Sequence, residues 1–187
     1  MTDLLLTLAV LLMMLAAPTI WIYNRLVADR NQVQAAWSDI DVQLMRRHEL
    51  VPMLVDTVKA YAAYEKATLA AVTELRSRSE AAEHLPDKAA LEAQLEDALH
   101  RINVVAEAYP DLKADQNFRQ LQSELTTIED HIQYARRFYN GAVRILNTRI
   151  QSFPHLLIAG PLQFRAAEFF AVNEAQEREA VPVELSK

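Results

Sequence analysis

The sequence predicts an all-α protein in which a single transmembrane helix precedes an antiparallel bundle of three long helices plus a short fourth. Only 2 of the 187 residues are glycine, and alanine, leucine, glutamate and arginine are abundant, which favours helices. Apolar residues make up 51% of the chain, enough to build a packed core. A long uncharged run begins close to the first residue, and apolar residues then recur at helical spacing along three segments.

The uncharged run begins at Leu4, ends at Tyr23 and holds no Asp, Glu, Lys or Arg. At 1.5 Å per residue it reaches about 30 Å, the thickness of the hydrocarbon core of a bilayer. Trp21 and Tyr23 lie at its end, where aromatic residues favour the headgroup region. The alternative is a cleaved signal peptide, but residues 1–3 carry no basic side chain and residues 15–17 form only a weak cleavage site. We therefore interpret residues 4–23 as an uncleaved anchor and residues 1–3 as a short exposed tail.

Basic residues lie on one side of this anchor. Arg25 and Arg30 follow it, and no Lys or Arg precedes it in the sequence. The positive-inside rule predicts that residues 24–187 are cytoplasmic and that the N-terminus lies outside. The predicted location is the bacterial inner membrane in a single-pass topology, with an intracellular membrane compartment left open.

The cytoplasmic bundle is predicted to occupy residues 24–171. Its first helix is expected to continue to about residue 77, because no strong loop signal comes earlier. Pro52 removes one backbone hydrogen bond, so we expect a bend there. Apolar residues recur in this helix at alternating steps of four and three, as in a coiled coil. The members of this stripe are Val33, Trp37, Ile40, Leu44, Arg47, Val51, Leu54, Val58, Tyr61, Glu65, Thr68 and Val72.

Two more long helices follow the first. The second is expected over about residues 87–109, between two prolines, and the third over about residues 115–152, with Asp115 as its N-cap. Short connections make sequential helices antiparallel neighbours. A short fourth helix is expected over residues 162–171, and residues 172–187 are predicted to form an acidic, mobile tail.

The membrane-proximal part of the stripe suggests self-association. The first helix would reach about 90 Å beyond the membrane, whereas the third would cover about 57 Å. Val33, Trp37, Ile40 and Leu44 would then lack partners within the chain, unless the helix folds back near Pro52. Because an uncovered apolar stripe normally marks an interface, we expect a homo-oligomer.

Charged residues in unusual places are candidates for recognition. Arg47 and Glu65 fall within the apolar stripe, so each side chain either reaches solvent at its edge or joins a buried pair that fixes register or partner choice. Arg136 and Arg137 belong to a stretch, residues 131–167, that holds five arginines and no acid. These arginines either face the acidic stretch at residues 80–97 or bind an acidic partner or lipid headgroup.

Composition excludes several kinds of chemistry. The chain has no cysteine, which removes thiolate metal sites and cysteine nucleophiles, and its two glycines cannot build a phosphate-binding loop. Asp97 and His100 have the spacing of one half of a di-iron site, but the second half is missing, so we expect no metal and no cofactor. The net charge of −6 argues against nucleic acid as a partner. Tyr139 lies on the apolar face of the third helix and is interpreted as core.

Three ordered blocks resemble the LemA family, and the resemblance extends over about residues 23–170. The blocks are AWSDIDVQLMRRHELVPMLVDTVKAYAAYEK from residue 36, EAYPDLKADQNFRQLQSEL from residue 107 and ARRFYNGAVRILNTRIQSFP from residue 135. The resemblance implies a membrane anchor followed by a cytoplasmic antiparallel helical bundle, and no established enzymatic activity. Some relatives are tied to intracellular membrane compartments or to neighbouring membrane proteins.

We therefore predict a non-enzymatic, membrane-anchored scaffold or adaptor that self-associates and engages the bilayer and an unidentified membrane protein. No residue is assigned to catalysis. The alternative is a helical-bundle enzyme with a buried metal or substrate pocket. The candidate interaction or register residues are Trp37, Arg46, Arg47, Glu65, Arg136, Arg137 and Tyr139.

Overall fold

A computed structural model describes residues 2–170, apart from the side chain of Leu15. Within this range the chain forms helices and no β-strand. The all-α prediction is confirmed, with an N-terminal helix apolar enough to cross a membrane and a helical bundle after it. The predicted acidic tail lies outside the described residues. The helices are α1 (Thr2–Tyr61), α2 (Lys66–Ala81), α3 (Leu85–Ala106), α4 (Pro110–Ala114), α5 (Gln116–Gln151) and α6 (Leu156–Ala159).

The chain divides into two compact units. Of the described residues, the first unit comprises residues 2–42 and 132–168, and the second comprises residues 43–131 and 169–170. Helices α1 and α5 each contribute to both units, and the smaller helices each belong to one.

In the first unit, α1 and α5 run antiparallel. Arg149 Nε, late in α5, lies 2.5 Å from Asp29 Oδ2, while the Trp37 ring lies edge-on to that of Tyr139 at a centroid distance of 5.9 Å. The helical spacing of apolar residues therefore produces a core along both helices, as the sequence predicts. Its buried side chains are Ile22, Leu26, Val33, Ala36, Ile40, Ile132, Tyr139, Ala142, Val143 and Leu146.

The prediction that the membrane-proximal stripe lacks cover is wrong. Val33, Ile40 and Leu44 are buried, and Trp37 is half-buried against Tyr139. The reason is length: α1 ends at Tyr61 and so extends only about 57 Å beyond residue 23, which the 36 residues of α5 can match at about 54 Å. The prediction of a homo-oligomer thus loses the surface that motivated it.

The second unit is built from the end of α1, the helices α2, α3 and α4, and the start of α5. Helices α2 and α3 form an antiparallel hairpin: Ser79, late in α2, contacts Glu92 in α3, and Tyr109, after α3, contacts Glu65 just before α2. This arrangement encloses one apolar cluster. Its buried members include Val51, Leu54, Val58, Leu69, Val72, Leu95, Ile102, Leu112, Phe118 and Leu121.

The predicted first helix is interrupted, which the sequence reading missed. Helix α1 continues through Pro52, so the alternative of a fold-back there is wrong, but the helix ends at Tyr61. A turn follows, in which Glu65 N donates a hydrogen bond to Ala62 O at 3.1 Å. Neither glycine nor proline marks this turn. Instead, the small side chain of Ala62 is fully buried in the core, so the reversal is set by tertiary packing.

The short last helix lies at Leu156–Ala159, not at the predicted residues 162–171. Residues 164–170 are not helical because side chains of α5 bind their backbone. Asn147 Nδ2 donates to Ala167 O at 2.9 Å, and Ala167 N donates to Asn147 Oδ1 at 2.9 Å. The Tyr139 hydroxyl donates to Glu168 O at 2.9 Å. These bonds tie the segment along α5.

The predicted N-cap of α5 is confirmed, and it provides a stability test. Phe118 N donates to Asp115 Oδ1 at 2.8 Å, and this hydrogen bond is the main cause that lowers the pKa of Asp115. We expect Asp115→Ala to lower the melting temperature, because a helix-terminal N–H loses its partner. Asp115→Asn keeps an acceptor oxygen and should retain most of the stability. Circular dichroism melting curves check this, and equal losses for both variants would contradict the capping role.

Candidate functional site

A buried polar cluster lies in the second unit, and we call it the Arg47 network. It consists of Arg47 and His48 from α1, Ser79 from α2, Glu92 from α3 and Glu129 from α5. The Arg47 and Glu92 side chains are each only 3% exposed. Four helices of the second unit therefore meet at one ion pair.

The Glu92 carboxylate is the centre of the Arg47 network. Its Oε2 accepts a hydrogen bond from Arg47 Nη2, and its Oε1 accepts one from the Ser79 hydroxyl. His48 Nε2 lies 2.7 Å from the same Oε1. Arg47 Nη1 donates to Glu129 Oε2 at 2.8 Å, which extends the cluster to α5. The guanidinium is thus shared between two carboxylates, one buried and one near the surface.

Helical periodicity explains why these charges are inside. Arg47 occupies a position of the apolar stripe of α1, between the buried Leu44 and Val51. On α3, Glu92 lies three residues after Ala89 and three before Leu95, both fully buried. An unpaired charge in such a position costs several kcal/mol, so the two residues stabilise the fold only as partners.

Opposing effects set the pKa of Glu92. Burial raises the pKa, but the hydrogen bond with His48, the positive charge of Arg47 and the hydrogen bond from Ser79 outweigh it. The result is a pKa lowered from 4.5 to about 2. Glu92 is therefore an anion at neutral pH despite its burial.

This lowered pKa predicts how stability depends on pH. Because the folded protein holds Glu92 ionised to about pH 2, its contribution is complete above pH 4.5 and is lost as the pH falls from 4.5 toward 2. We expect the difference in melting temperature between the wild type and a Glu92→Gln variant to be constant near neutral pH and to narrow across this window. Thermal unfolding at a series of pH values measures it. A difference that persists unchanged at about pH 2 would contradict the assignment.

A second layer of contacts holds the Arg47 network in place. Arg76 Nε, from α2, donates to the backbone O of His48 at 2.7 Å, and its Nη2 lies 2.8 Å from Glu80 Oε1. The same Glu80 oxygen lies 3.7 Å from His48 Nδ1. Both ring nitrogens of His48 therefore face carboxylates, which fixes the ring between α2 and α3.

A cavity of about 260 Å³ opens beside the Arg47 network, lined by residues of α1, α3 and α5. Arg47 lines it, and the Nε atom of this side chain is buried without a hydrogen-bond partner among the described residues. The other polar residues that line the cavity are Glu96, His100, Asn103, Gln122, Thr126, Glu129 and Asp130. Across residues 2–170, no group of three histidine or acidic side chains is arranged to hold a metal ion.

The structure separates the predicted site residues of the second unit. Arg47 is buried and paired, so the alternative that it reaches solvent at the edge of the stripe is wrong for this residue. Glu65 lies half-buried in the connection between α1 and α2, where the Tyr109 hydroxyl donates to its Oε1 at 3.3 Å. Arg46 is exposed and lines a different cavity, of about 330 Å³, together with Glu49 and His131. The three residues thus do not form one site.

The predicted residues of the first unit lie along α1 and α5. Trp37 and Tyr139 pack against each other, and burial raises the pKa of the Tyr139 hydroxyl. Arg137 is exposed, with its guanidinium 4.6 Å from the centre of the Tyr134 ring, and Arg136 is half-buried. Trp37 and Tyr139 therefore contribute to the core, whereas Arg137 remains available at the surface.

Sequence reasoning did not find the partners of Arg47. Glu92 belongs to a stretch rich in acids, which is typical of a solvated surface, and the signal against that interpretation is its three-residue spacing from Ala89 and Leu95. Ser79 and Glu129 carry no pattern that separates them from neighbouring polar residues. The burial of Arg47 predicted that a partner exists, but not which one.

Fold and site together define a class: a helical-bundle protein whose N-terminal helix is long and apolar enough to cross a membrane. The sequence model of the LemA family matches residues 36–185 of this chain. The chain belongs to the LemA family, as the sequence blocks implied.

Two proteins of known name are similar in sequence to this chain. The chain is 30% identical to Protein LemA of Metamycoplasma hominis, over 88% of this chain and 74% of that protein. It is 24% identical to magnetosome protein MamQ of Magnetospirillum gryphiswaldense, over 79% of this chain, and it spans 64% of that protein's length. Neither name denotes an enzymatic activity.

Proposed function

We propose that this protein is a membrane-anchored adaptor. The first part of α1 crosses the bilayer, and the helical bundle binds a membrane protein or a membrane compartment from the cytoplasmic side without catalysing a reaction. One observation carries the proposal: the large apolar side chains at the beginning of α1 are exposed in the described chain. Its large exposed side chains are Leu4, Leu5, Leu6, Leu8, Val10, Leu11, Leu12, Met13, Met14, Ile20 and Trp21.

The exposure of its side chains favours the interpretation of the first part of α1 as a membrane anchor and not as the core helix of a soluble protein. The described side chains of residues 2–14 and 16–21 are exposed, and burial begins at Ile22 and Leu26. A surface of this size is stable only when lipid or another protein covers it. Arg25, which follows, is exposed, and Arg30 is exposed beside the ring of Phe164, so basic groups occupy the end of the span that the positive-inside rule assigns to the cytoplasm.

Exposed arginines on the helical bundle support the adaptor role, because an acidic partner surface could bind them. Arg46 and Arg137 are exposed, and both are candidates for contact with an acidic partner surface. The name of MamQ connects that relative with the magnetosome. By extension, we infer that the bundle of this chain also acts at a membrane surface.

Membrane insertion is tested with the full chain and a reporter fused after Lys187. We expect the protein in the membrane fraction after alkaline extraction, with the reporter active in the cytoplasm. A variant with Leu8→Arg and Leu12→Arg should move to the soluble fraction, because charges in the middle of a span oppose insertion. Tyr64→Arg, at a side chain 94% exposed, is the matched control and should not. A soluble wild type, or a reporter active outside the cytoplasm, would contradict the proposal.

The adaptor role is tested by photo-crosslinking in intact membranes. A photoreactive amino acid at position 46 or 137 should capture a membrane protein that mass spectrometry identifies, and the same residue at the buried position 143 should capture none. Capture of a second copy of this chain would instead support self-association. If cross-linking at positions 46 and 137 captures no more protein than cross-linking at position 143, the bundle does not bind a partner through these surfaces.

The cavity beside Arg47 leaves a second candidate, a bundle enzyme with a buried metal or substrate pocket, although no three acidic or histidine groups of the described residues are arranged to hold a metal ion. It offers several carboxylates and one imidazole around a space of about 260 Å³. Elemental analysis of the purified protein is the direct test, and a stoichiometric transition metal would favour the enzyme over the adaptor.

A further inference from the structure

Large apolar side chains are exposed on the segment that follows α5. We call residues 153–162 the apolar loop; it contains α6. Phe153 is 79% exposed and Leu157 64%, and Leu156 and Leu162 are also exposed. The loop carries no Asp, Glu, Lys or Arg. A concentrated, uncharged apolar surface of this kind marks a contact with lipid or with another protein.

The apolar loop packs beside the end of the apolar run of α1, within the first unit. The His155 ring lies 6.2 Å from that of Trp21, measured between centroids. Ala159 is fully buried in one cluster with Ile22 and Leu26. These contacts place the loop against α1 at residues 21–26, on both sides of Arg25.

The chain leaves the loop toward the more polar part of α1. The ring of Phe164 lies 5.9 Å from that of Tyr23, and the guanidinium of Arg30 lies 5.4 Å from its centre. Arg165 comes next and is exposed. Along this path, the uncharged loop is level with residues 21–26 of α1, where Arg25 is the one charged residue, and Arg30 and Arg165 come after it.

We propose that the apolar loop is a second membrane contact, seated at the boundary between headgroups and acyl chains beside α1. This inference rests on the proposed function, because it requires that residues 4–23 lie in the bilayer. The loop is too short to span and is interrupted by Gly160 and Pro161, so it lies in the interface. The order of uncharged loop, aromatic rings and then arginines matches the order of acyl chains, interface and anionic headgroups.

Continuity with the anchor favours lipid over a protein as the occupant. A bilayer around residues 4–23 necessarily approaches whatever packs against Trp21 and Ile22, and the loop does. A second membrane contact would also restrict how the first unit is oriented relative to the membrane. A lone helix leaves the first unit free to rotate about the membrane normal and to tilt, whereas an additional seated loop fixes one side of it against the lipid.

The test uses single cysteines, which the chain allows because it has none of its own. Leu157→Cys and Phe153→Cys in the full protein are labelled with an environment-sensitive fluorophore. The proteins are reconstituted in phosphatidylcholine vesicles with about one quarter phosphatidylglycerol and acyl chains brominated at a shallow or a deep position. Leu12→Cys reports the anchor. Phe138→Cys is the matched control: it is 54% exposed in the same unit, next to Tyr139, whose partner Trp37 lies about 21 Å along α1 from Tyr23.

We expect both loop probes to be quenched at least twofold more by shallow bromines than the probe at residue 138, and the probe at residue 12 to be quenched by deep bromines. If residue 12 is quenched while residues 153 and 157 behave like residue 138, the loop inference fails and the anchor stands. If residue 12 is not quenched, the anchor and the inference both fail. Blue-shifted emission at the loop without bromine quenching would mean that protein covers it, which also overturns the inference.

Discussion

Glu92→Gln is expected to lower the free energy of unfolding by about 3 kcal/mol, because removing one member of a buried charge pair leaves the other uncompensated. The amide keeps the shape of the side chain, so the loss reports charge and not volume. Arg47 retains Glu129 at 2.8 Å, which places the effect at the lower end of the usual range. Chemical denaturation of the purified protein measures it.

The matched control for Glu92 is Glu80, an acid that pairs with Arg76 at 2.8 Å but is 42% exposed. Glu80→Gln should cost less than about 1 kcal/mol, since exposed ion pairs contribute little. Replacing both buried partners, with Arg47→Met and Glu92→Leu together, should recover part of the loss because no charge stays buried alone. Equal, small effects of Glu80→Gln and Glu92→Gln would contradict a stabilising role of the Arg47 network.

Trp37→Glu is the second large effect that we expect, a loss of about 2–4 kcal/mol from the free energy of unfolding. The Trp37 ring packs edge-on against Tyr139, and the substitution puts a charge where α1 meets α5. Val42→Glu, at an exposed apolar residue of the same unit, is the control and should change stability little. Thermal unfolding and the oligomeric state are measured together. A variant that stays as stable as the wild type but dissociates from an oligomer would show that Trp37 serves self-association instead.

The sequence predicted the helical class, the candidate span and the buried faces of the long helices because each depends on a pattern repeated over many residues. The stripe of α1 holds from Val33 to Val58 with few exceptions. The N-cap at Asp115 was also predictable, since capping depends on one side chain and the three residues after it.

What the sequence did not predict depends on single contacts between distant segments. The turn after Tyr61 has no glycine or proline, and it exists because α2 packs back onto α1 around the buried Ala62. Because the length of α1 was overestimated, Trp37 and its neighbours were expected to be uncovered. Similarly, the choice of Glu92 among the acids of its stretch was decided by the position of Arg47, 45 residues earlier.

The side-chain amide of Asn147 determines where this protein can be cut. A chain that ends at residue 170 keeps the backbone of Ala167 and Glu168, which Asn147 and Tyr139 bind, and it keeps Phe164 over Ile22 and Leu26. A chain that ends at residue 163 loses all three and leaves an amide, a hydroxyl and an apolar surface without partners. A stop codon after residue 163 is therefore expected to destabilise the first unit, because it removes the backbone that Asn147 and Tyr139 bind.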